Sequence, residues 1–109
     1  MTDDDAAVIA ANPAFYAAFG RRDIDALDRL WSHTWPTACI HPGWDALTDR
    51  DAVMDSWRRI LSNPNAPNIA CRNAKAFVFG DFAFVVCHEV LNEGVLAATN
   101  IFAREGGVW

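Results

Sequence analysis

Up to about residue 62 the apolar positions recur with a helical period; beyond residue 68 they alternate with a strand period. Val8, Ala11, Phe15, Ala18 and Phe19 are spaced three and four apart, which puts them on one helix face. Asp3, Asp4 and Asp5 place negative charge at the start of that segment, where the helix dipole favours it. Pro13 is expected to kink this helix or to mark its true start behind Asn12 as N-cap, and Gly20 is the expected C-cap. Asp23 is read as the cap of a second, short helix with Ile24, Leu27, Leu30 and Trp31 as its apolar stripe. Residues 37–41 read as a short strand ended by Pro42-Gly43. Thr48, with Asp51 three residues on, resembles a capping box for a third helix, whose stripe is Val53, Trp57, Ile60 and Leu61. The run Asn63-Pro64-Asn65-Ala66-Pro67 breaks it.

Three strands follow, at residues 69–79, 82–91 and 95–104, turned at Gly80-Asp81, Glu93-Gly94 and Glu105-Gly106-Gly107. Val108-Trp109 reads as the opening of a further strand. Helices first and an antiparallel meander afterwards define an α+β domain with its helices on one face of the sheet. A two-residue turn at Glu93-Gly94 would set Leu91 opposite Leu96, Glu89 opposite Ala98, Cys87 opposite Asn100 and Val85 opposite Phe102, all on one face. The other face carries Phe84, Val86, His88, Val90, Ala97, Thr99, Ile101 and Ala103. A solvated sheet face should be polar, and this one is mostly apolar, so both faces are expected to be covered: one by helices, the other by a second copy of the sheet.

Glu89 and Asn100 break the apolar pattern of the first face. A carboxylate there is costly unless it is paired or protonated, which singles out Glu89. An ion pair with Arg72 or Arg104 is the plain alternative to a catalytic role. His41 is the second candidate, because imidazole is the side chain suited to proton transfer near neutral pH. Cys39 and His41, with Cys87 and Glu89, have the chemistry of a zinc site but not its tight ligand spacing, so no metal and no cofactor are expected.

Composition narrows the classes. The 109 residues suffice for one domain, and 52% hydrophobic with 21% charged residues excludes a disordered chain. A net charge of −5 with no basic run argues against nucleic-acid partners. No stretch approaches the ~20 apolar residues that span a bilayer. The acidic start and three unpaired-looking cysteines (Cys39, Cys71 and Cys87) point to a cytoplasmic protein with reduced thiols.

The order of elements carries a resemblance as well. Phe15-Tyr16-Ala17-Ala18-Phe19, the run from Asp23 to Trp31, His41-Pro42-Gly43-Trp44, Val53-Met54-Asp55-Ser56-Trp57, Thr99-Asn100-Ile101-Phe102 and Gly106-Gly107-Val108-Trp109 together resemble the nuclear transport factor 2-like superfamily. Within it the chain looks most like SnoaL-like, ketosteroid-isomerase-like bacterial proteins. The resemblance covers nearly all of residues 1–109 and implies a cone-shaped, cystatin-like curled antiparallel sheet with three helices packed on its concave face. It also implies a homodimer through the sheet and a pocket for a small apolar or aromatic molecule. His41 and Glu89 are then the expected catalytic pair, walled by Trp31, Trp35, Trp44 and Trp57, with Asn100 and Phe102 at the ligand. The implied chemistry is proton transfer next to a carbonyl, of isomerase, dehydratase or cyclase type; a non-catalytic binding or interaction module is the alternative on this fold. The family continues past its Gly-Gly-x-Trp string with a closing strand, which is expected to be cut short here. The steroid-isomerase apparatus of an Asp base with Tyr and Asp donors is not matched, since Tyr16 is the only tyrosine.

Overall fold

The first helix, α1 (Asp3–Gly20), opens on a reciprocal cap. The Asp5 amide donates to the Thr2 hydroxyl and the Thr2 amide to the Asp5 carboxylate, both at 3.0 Å. Those bonds hold the Asp5 carboxyl below its usual range. The computed structural model describes residues 2–109, and in it α1 runs unbroken through Pro13. That residue faces solvent, where a carbonyl without its helical partner can bond to water, so it neither starts nor ends the helix. Nor does Gly20 close it. The chain leaves α1 at Arg21, and Arg22 takes the left-handed conformation at φ 57°. The Arg22 guanidinium offsets this strain by donating to the carbonyls of Phe19, Ala66 and Pro67 at 3.2, 2.9 and 3.1 Å. It thus ties the α1 exit to the segment that enters the sheet.

Helix α2 (Ile24–Leu30) is capped by Asp23, as the sequence indicates. Helix α3 (Arg50–Ser62) is capped by Asp49 rather than Thr48, the Asp49 carboxylate accepting from the Asp51 amide. Between them the expected strand at 37–41 shrinks to one bridge, Cys39 with Leu47, with amide–carbonyl bonds of 2.9 and 2.8 Å. Pro36 and Pro42 flank it and supply no amide hydrogens to extend a ladder.

The sheet has the order β1-β2-β3, with β1 (Ala70–Phe79), β2 (Phe82–Leu91) and β3 (Gly94–Ala103) all antiparallel to their neighbours. A register shift between Arg72 and Lys75, with Asn73 at φ 58°, bulges β1 and curls this edge. The hairpin register differs from the sequence expectation by two residues. Glu89 lies opposite Leu96, Cys87 opposite Ala98, Val85 opposite Asn100 and Ala83 opposite Phe102. The turn is Asn92-Glu93, and Gly94 already pairs with Leu91, using a φ of 151° that side chains avoid. A slip of two leaves every side chain on its expected face, because strand side chains alternate with period two. Val108 bonds back to Glu105 in a tight turn instead of opening a strand.

Two apolar clusters hold the layers together. Phe19, Leu27, Val53, Met54, Trp57 and Leu61 bind the three helices to one another. Val8 of α1 packs with Ala83 and Val85 of β2, supported by Phe102 and Trp109. Much of the outer face of the sheet is left open by the described residues: Phe79 is 56% exposed and Ile101 78%. Phe77 stacks on Phe84 at 4.9 Å there. Among the described residues no helix is long and apolar enough to cross a membrane.

Candidate functional site

One turn of α1 separates Val8 from Asn12, and another separates Asn12 from Tyr16. All three are buried, so the helix face laid on the sheet carries two polar residues among apolar ones. Opposite them on the inner sheet face stand Cys71, Cys87, Glu89 and Asn100. Tyr16 Oη donates to Glu89 Oε2 at 2.7 Å. Asn100 Nδ2 donates to Asn12 Oδ1 at 2.8 Å and to Tyr16 Oη at 3.0 Å. Asn12 Nδ2 reaches Cys71 Sγ at 3.5 Å, and Cys87 Sγ lies 3.4 Å from the phenol.

The directions of these bonds follow from the chemistry of the groups. Both Asn100 amide hydrogens are committed, so Tyr16 Oη accepts from Asn100 and must donate onward to Glu89. The carboxylate is the end of this hydrogen-bond relay, an acceptor whose second oxygen has no hydrogen-bond partner among the described residues. Burial raises the Tyr16 pKa, with Cys87 and Glu89 adding to the effect against the lowering influence of Asn100, so the phenol keeps its proton. Among the described residues no arginine pairs with Glu89. Arg72 donates to the Cys71 carbonyl, and Arg104 pairs with Asp4 and Asp81, each at 2.7 Å.

His41 lies in a second cluster, set by the loop after α2 and by α3. Its ring is 6% exposed and edge-on to Trp57 at 4.7 Å and Trp44 at 4.9 Å. Nε2 is 2.8 Å from Ser56 Oγ. Burial lowers the His41 pKa, so the imidazole is neutral at pH 7. Cys39 lies beside the ring at 3.7 Å from Nε2, and burial, then the charge of Glu89, pushes its thiol up to about 11. Phe15 joins the two clusters, with ring centroids 4.9 Å from Tyr16 and 5.4 Å from Trp57.

His41 and Glu89 therefore sit in adjoining clusters without a hydrogen bond between them; each is held by a residue the sequence reading did not select, Ser56 and Tyr16. Three of the four tryptophans, Trp31, Trp44 and Trp57, are linked through ring contacts at His41 and Trp57, and Trp35 lies apart from them. Trp57 is core, Trp44 is 41% exposed and covers His41, and Trp35 lies edge-on to Phe82 at the end of β2. Trp31 packs on Trp57 at 6.2 Å. Phe102 belongs to the apolar cluster under Val8. The buried indole nitrogens of Trp31 and Trp57 and the Thr37 hydroxyl have no partner among the described residues. Two solvent-open depressions, of about 250 and 170 Å³, lie on the helical side, one around Ala14, Ala17 and Arg29, the other around Ile24 and Arg58. Neither is lined by Glu89 or His41. Among the described residues no group of three or more His, Cys, Asp or Glu side chains is arranged to hold a metal ion.

The missed residues had a legible signal. Asn12 and Tyr16 are four apart and in step with Val8 and Phe19, which makes them inward-facing polar positions on an amphipathic helix.

This fold is that of a known family. Residues 8–109 match the model of the SnoaL-like domain, and the chain belongs to that family, within the NTF2-like superfamily. A crystal structure of a candidate dehydratase of the NTF2-like family from Streptomyces avermitilis is 30% identical, with a TM-score of 0.85, over 97% of this chain and 88% of that one. A candidate calcium/calmodulin-dependent protein kinase type II association domain from Thiobacillus denitrificans is also 30% identical, with a TM-score of 0.81, over 92% and 85%. The F-box protein SKIP8 of Arabidopsis thaliana is 25% identical over 105 residues, which are 94% of this chain and 46% of that protein. The chain thus spans about half the length of that curated relative.

Proposed function

We propose that this SnoaL-like domain binds a small carbonyl compound against the inner sheet face and moves a proton on the carbon beside the carbonyl. The observation that carries this reading is the state of Glu89: a partly buried carboxylate held by one phenol at 2.7 Å, paired with no arginine among the described residues, with one oxygen left to accept a proton. Glu89 is the base, and Tyr16, itself oriented by Asn100, aims it. His41 is the second proton carrier. The kinship with a candidate dehydratase is consistent with such chemistry.

Phenylacetone and the aldol of acetone with benzaldehyde are suitable probes. In heavy water the protein is expected to exchange their α-hydrogens for deuterium, seen by NMR, and Glu89→Gln is expected to slow exchange by about 10²–10⁴-fold. Exchange no faster than in buffer, for every ketone tried, would remove catalysis.

A second reading is a non-catalytic association module, and the exposed apolar strip of Phe77, Phe79 and Ile101, with half-buried Phe84 stacked under Phe77, favours it. We infer that a second copy of this chain covers that strip, which fits either reading, as does kinship with a candidate association domain. The exchange assay separates the two.

A further inference from the structure

Ser56 lies on α3 with no exposed surface, at a helical position where a small apolar residue would pack as well. Its hydroxyl has a single hydrogen. That hydrogen is committed to the Val53 carbonyl one turn back, at 2.6 Å. The 2.8 Å contact between Ser56 Oγ and His41 Nε2 then admits one arrangement: the imidazole donates and the serine oxygen accepts. A neutral imidazole carries its hydrogen on one nitrogen, so Nδ1 is left with a lone pair.

The remaining neighbours do not compete for that choice. Cys39 Sγ is 3.7 Å from Nε2 and 3.9 Å from Nδ1. An in-line partner would be near one nitrogen and well away from the other, so the sulfur lies beside the ring. Trp44 and Trp57 meet the ring edge-on and fix its plane without addressing either nitrogen as an acceptor. Trp57 follows Ser56 directly, so one turn of α3 supplies both the plane and the hydrogen-bond acceptor.

We infer that Ser56 is a positioning residue that locks His41 as the Nε2–H tautomer and leaves Nδ1 as the nitrogen that accepts a proton. The inference about the tautomer stands on the geometry alone; its use in turnover rests on the proton-transfer reading above. Ser56 is excluded as a nucleophile by the same bonds, because its hydroxyl hydrogen goes to a backbone carbonyl and not to the imidazole.

Long-range proton–nitrogen NMR on protein with labelled histidine reads the tautomer directly, with or without a substrate. In the wild-type protein at pH 7.5 the His41 ring is expected to show a protonated Nε2 and an unprotonated Nδ1. A protonated Nδ1 would overturn the inference. In Ser56→Ala, which removes one oxygen and adds no bulk, the two nitrogen signals are expected to move toward each other as the tautomers mix, and Ser56→Thr is expected to restore the pattern if it folds. An unchanged tautomer in folded Ser56→Ala would assign the lock elsewhere and overturn the role of Ser56. A mixed tautomer with unchanged ketone exchange supports the lock and counts against His41 as a proton carrier, so the two claims fail separately.

Discussion

Tyr16 to Glu89 is the bond on which the inner site turns, and a double-mutant cycle isolates it. Tyr16→Phe deletes one oxygen from a residue 8% exposed and leaves the ring in place. It removes the donor 2.7 Å from the carboxylate and the acceptor of the Asn100 amide. A buried hydrogen bond to a charged group is worth about 1.5–3 kcal/mol. Glu89 is only partly buried, so water compensates in part and the lower end applies, about 1.5–2 kcal/mol. At this chain length that corresponds to a fall in Tm of roughly 6–12 °C. Glu89→Leu removes the acceptor together with the charge at similar side-chain volume. Urea unfolding of both single variants and the double variant is expected to give a coupling energy of about 1–2 kcal/mol. Additivity within about 0.5 kcal/mol would mean that the two side chains do not interact in solution, and the assignment of Glu89 as an aimed base would fall with it.

Other consequences are separately measurable. The pKa of His41 is lowered by burial, so below about pH 6.5 the unfolded chain binds the extra proton that the folded one resists. Stability is therefore fully present above that pH and declines as pH falls toward the folded pKa, by at most about 1.4 kcal/mol per pH unit; His41→Gln should flatten this slope, and an unaltered slope assigns it to other groups. Trp57→Ala should destabilise the fold by about 3–5 kcal/mol in urea, because Trp57 is a buried contact of Phe15, Phe19, Trp31 and His41; a loss under 1 kcal/mol contradicts its place in the core. Ile101→Glu on the outer face should leave subunit stability within about 0.5 kcal/mol yet convert a dimer to a monomer in sedimentation velocity. A wild-type monomer at tens of micromolar removes the sheet-to-sheet interface.

What could be read from the sequence follows from which signals are local. The period-two alternation assigned Glu89 and Asn100 to the face that meets α1, and the assignment survived a hairpin slip of two because the pleat repeats every two residues. The slip itself came from Gly94: a glycine beside a glutamate reads as turn, but its backbone freedom is used on the first strand residue. Pro13 does not mark the start of α1, because a proline on the exposed side of a long helix leaves the carbonyl one turn back to water, and exposure is a tertiary fact. The partners of the candidate residues were harder still. Tyr16 and Glu89 are 73 residues apart and His41 and Ser56 15 apart, so each pairing depends on how α1 and α3 dock. Asn12 and Tyr16 nevertheless stood at the same helical phase as Val8, and polar residues in that phase are the sign of a buried network.

The central claim is that the inner face, at Glu89 and Tyr16, receives the ligand, and backbone amide shifts during a titration test it most directly. With phenylacetone as probe, the amides of Glu89, Asn100, Tyr16 and His41 should move together and saturate at one concentration, while those of Phe79 and Ile101 stay still. Saturable shifts confined to the outer face, or to the groove around Ala14, Ala17 and Arg29, would contradict it.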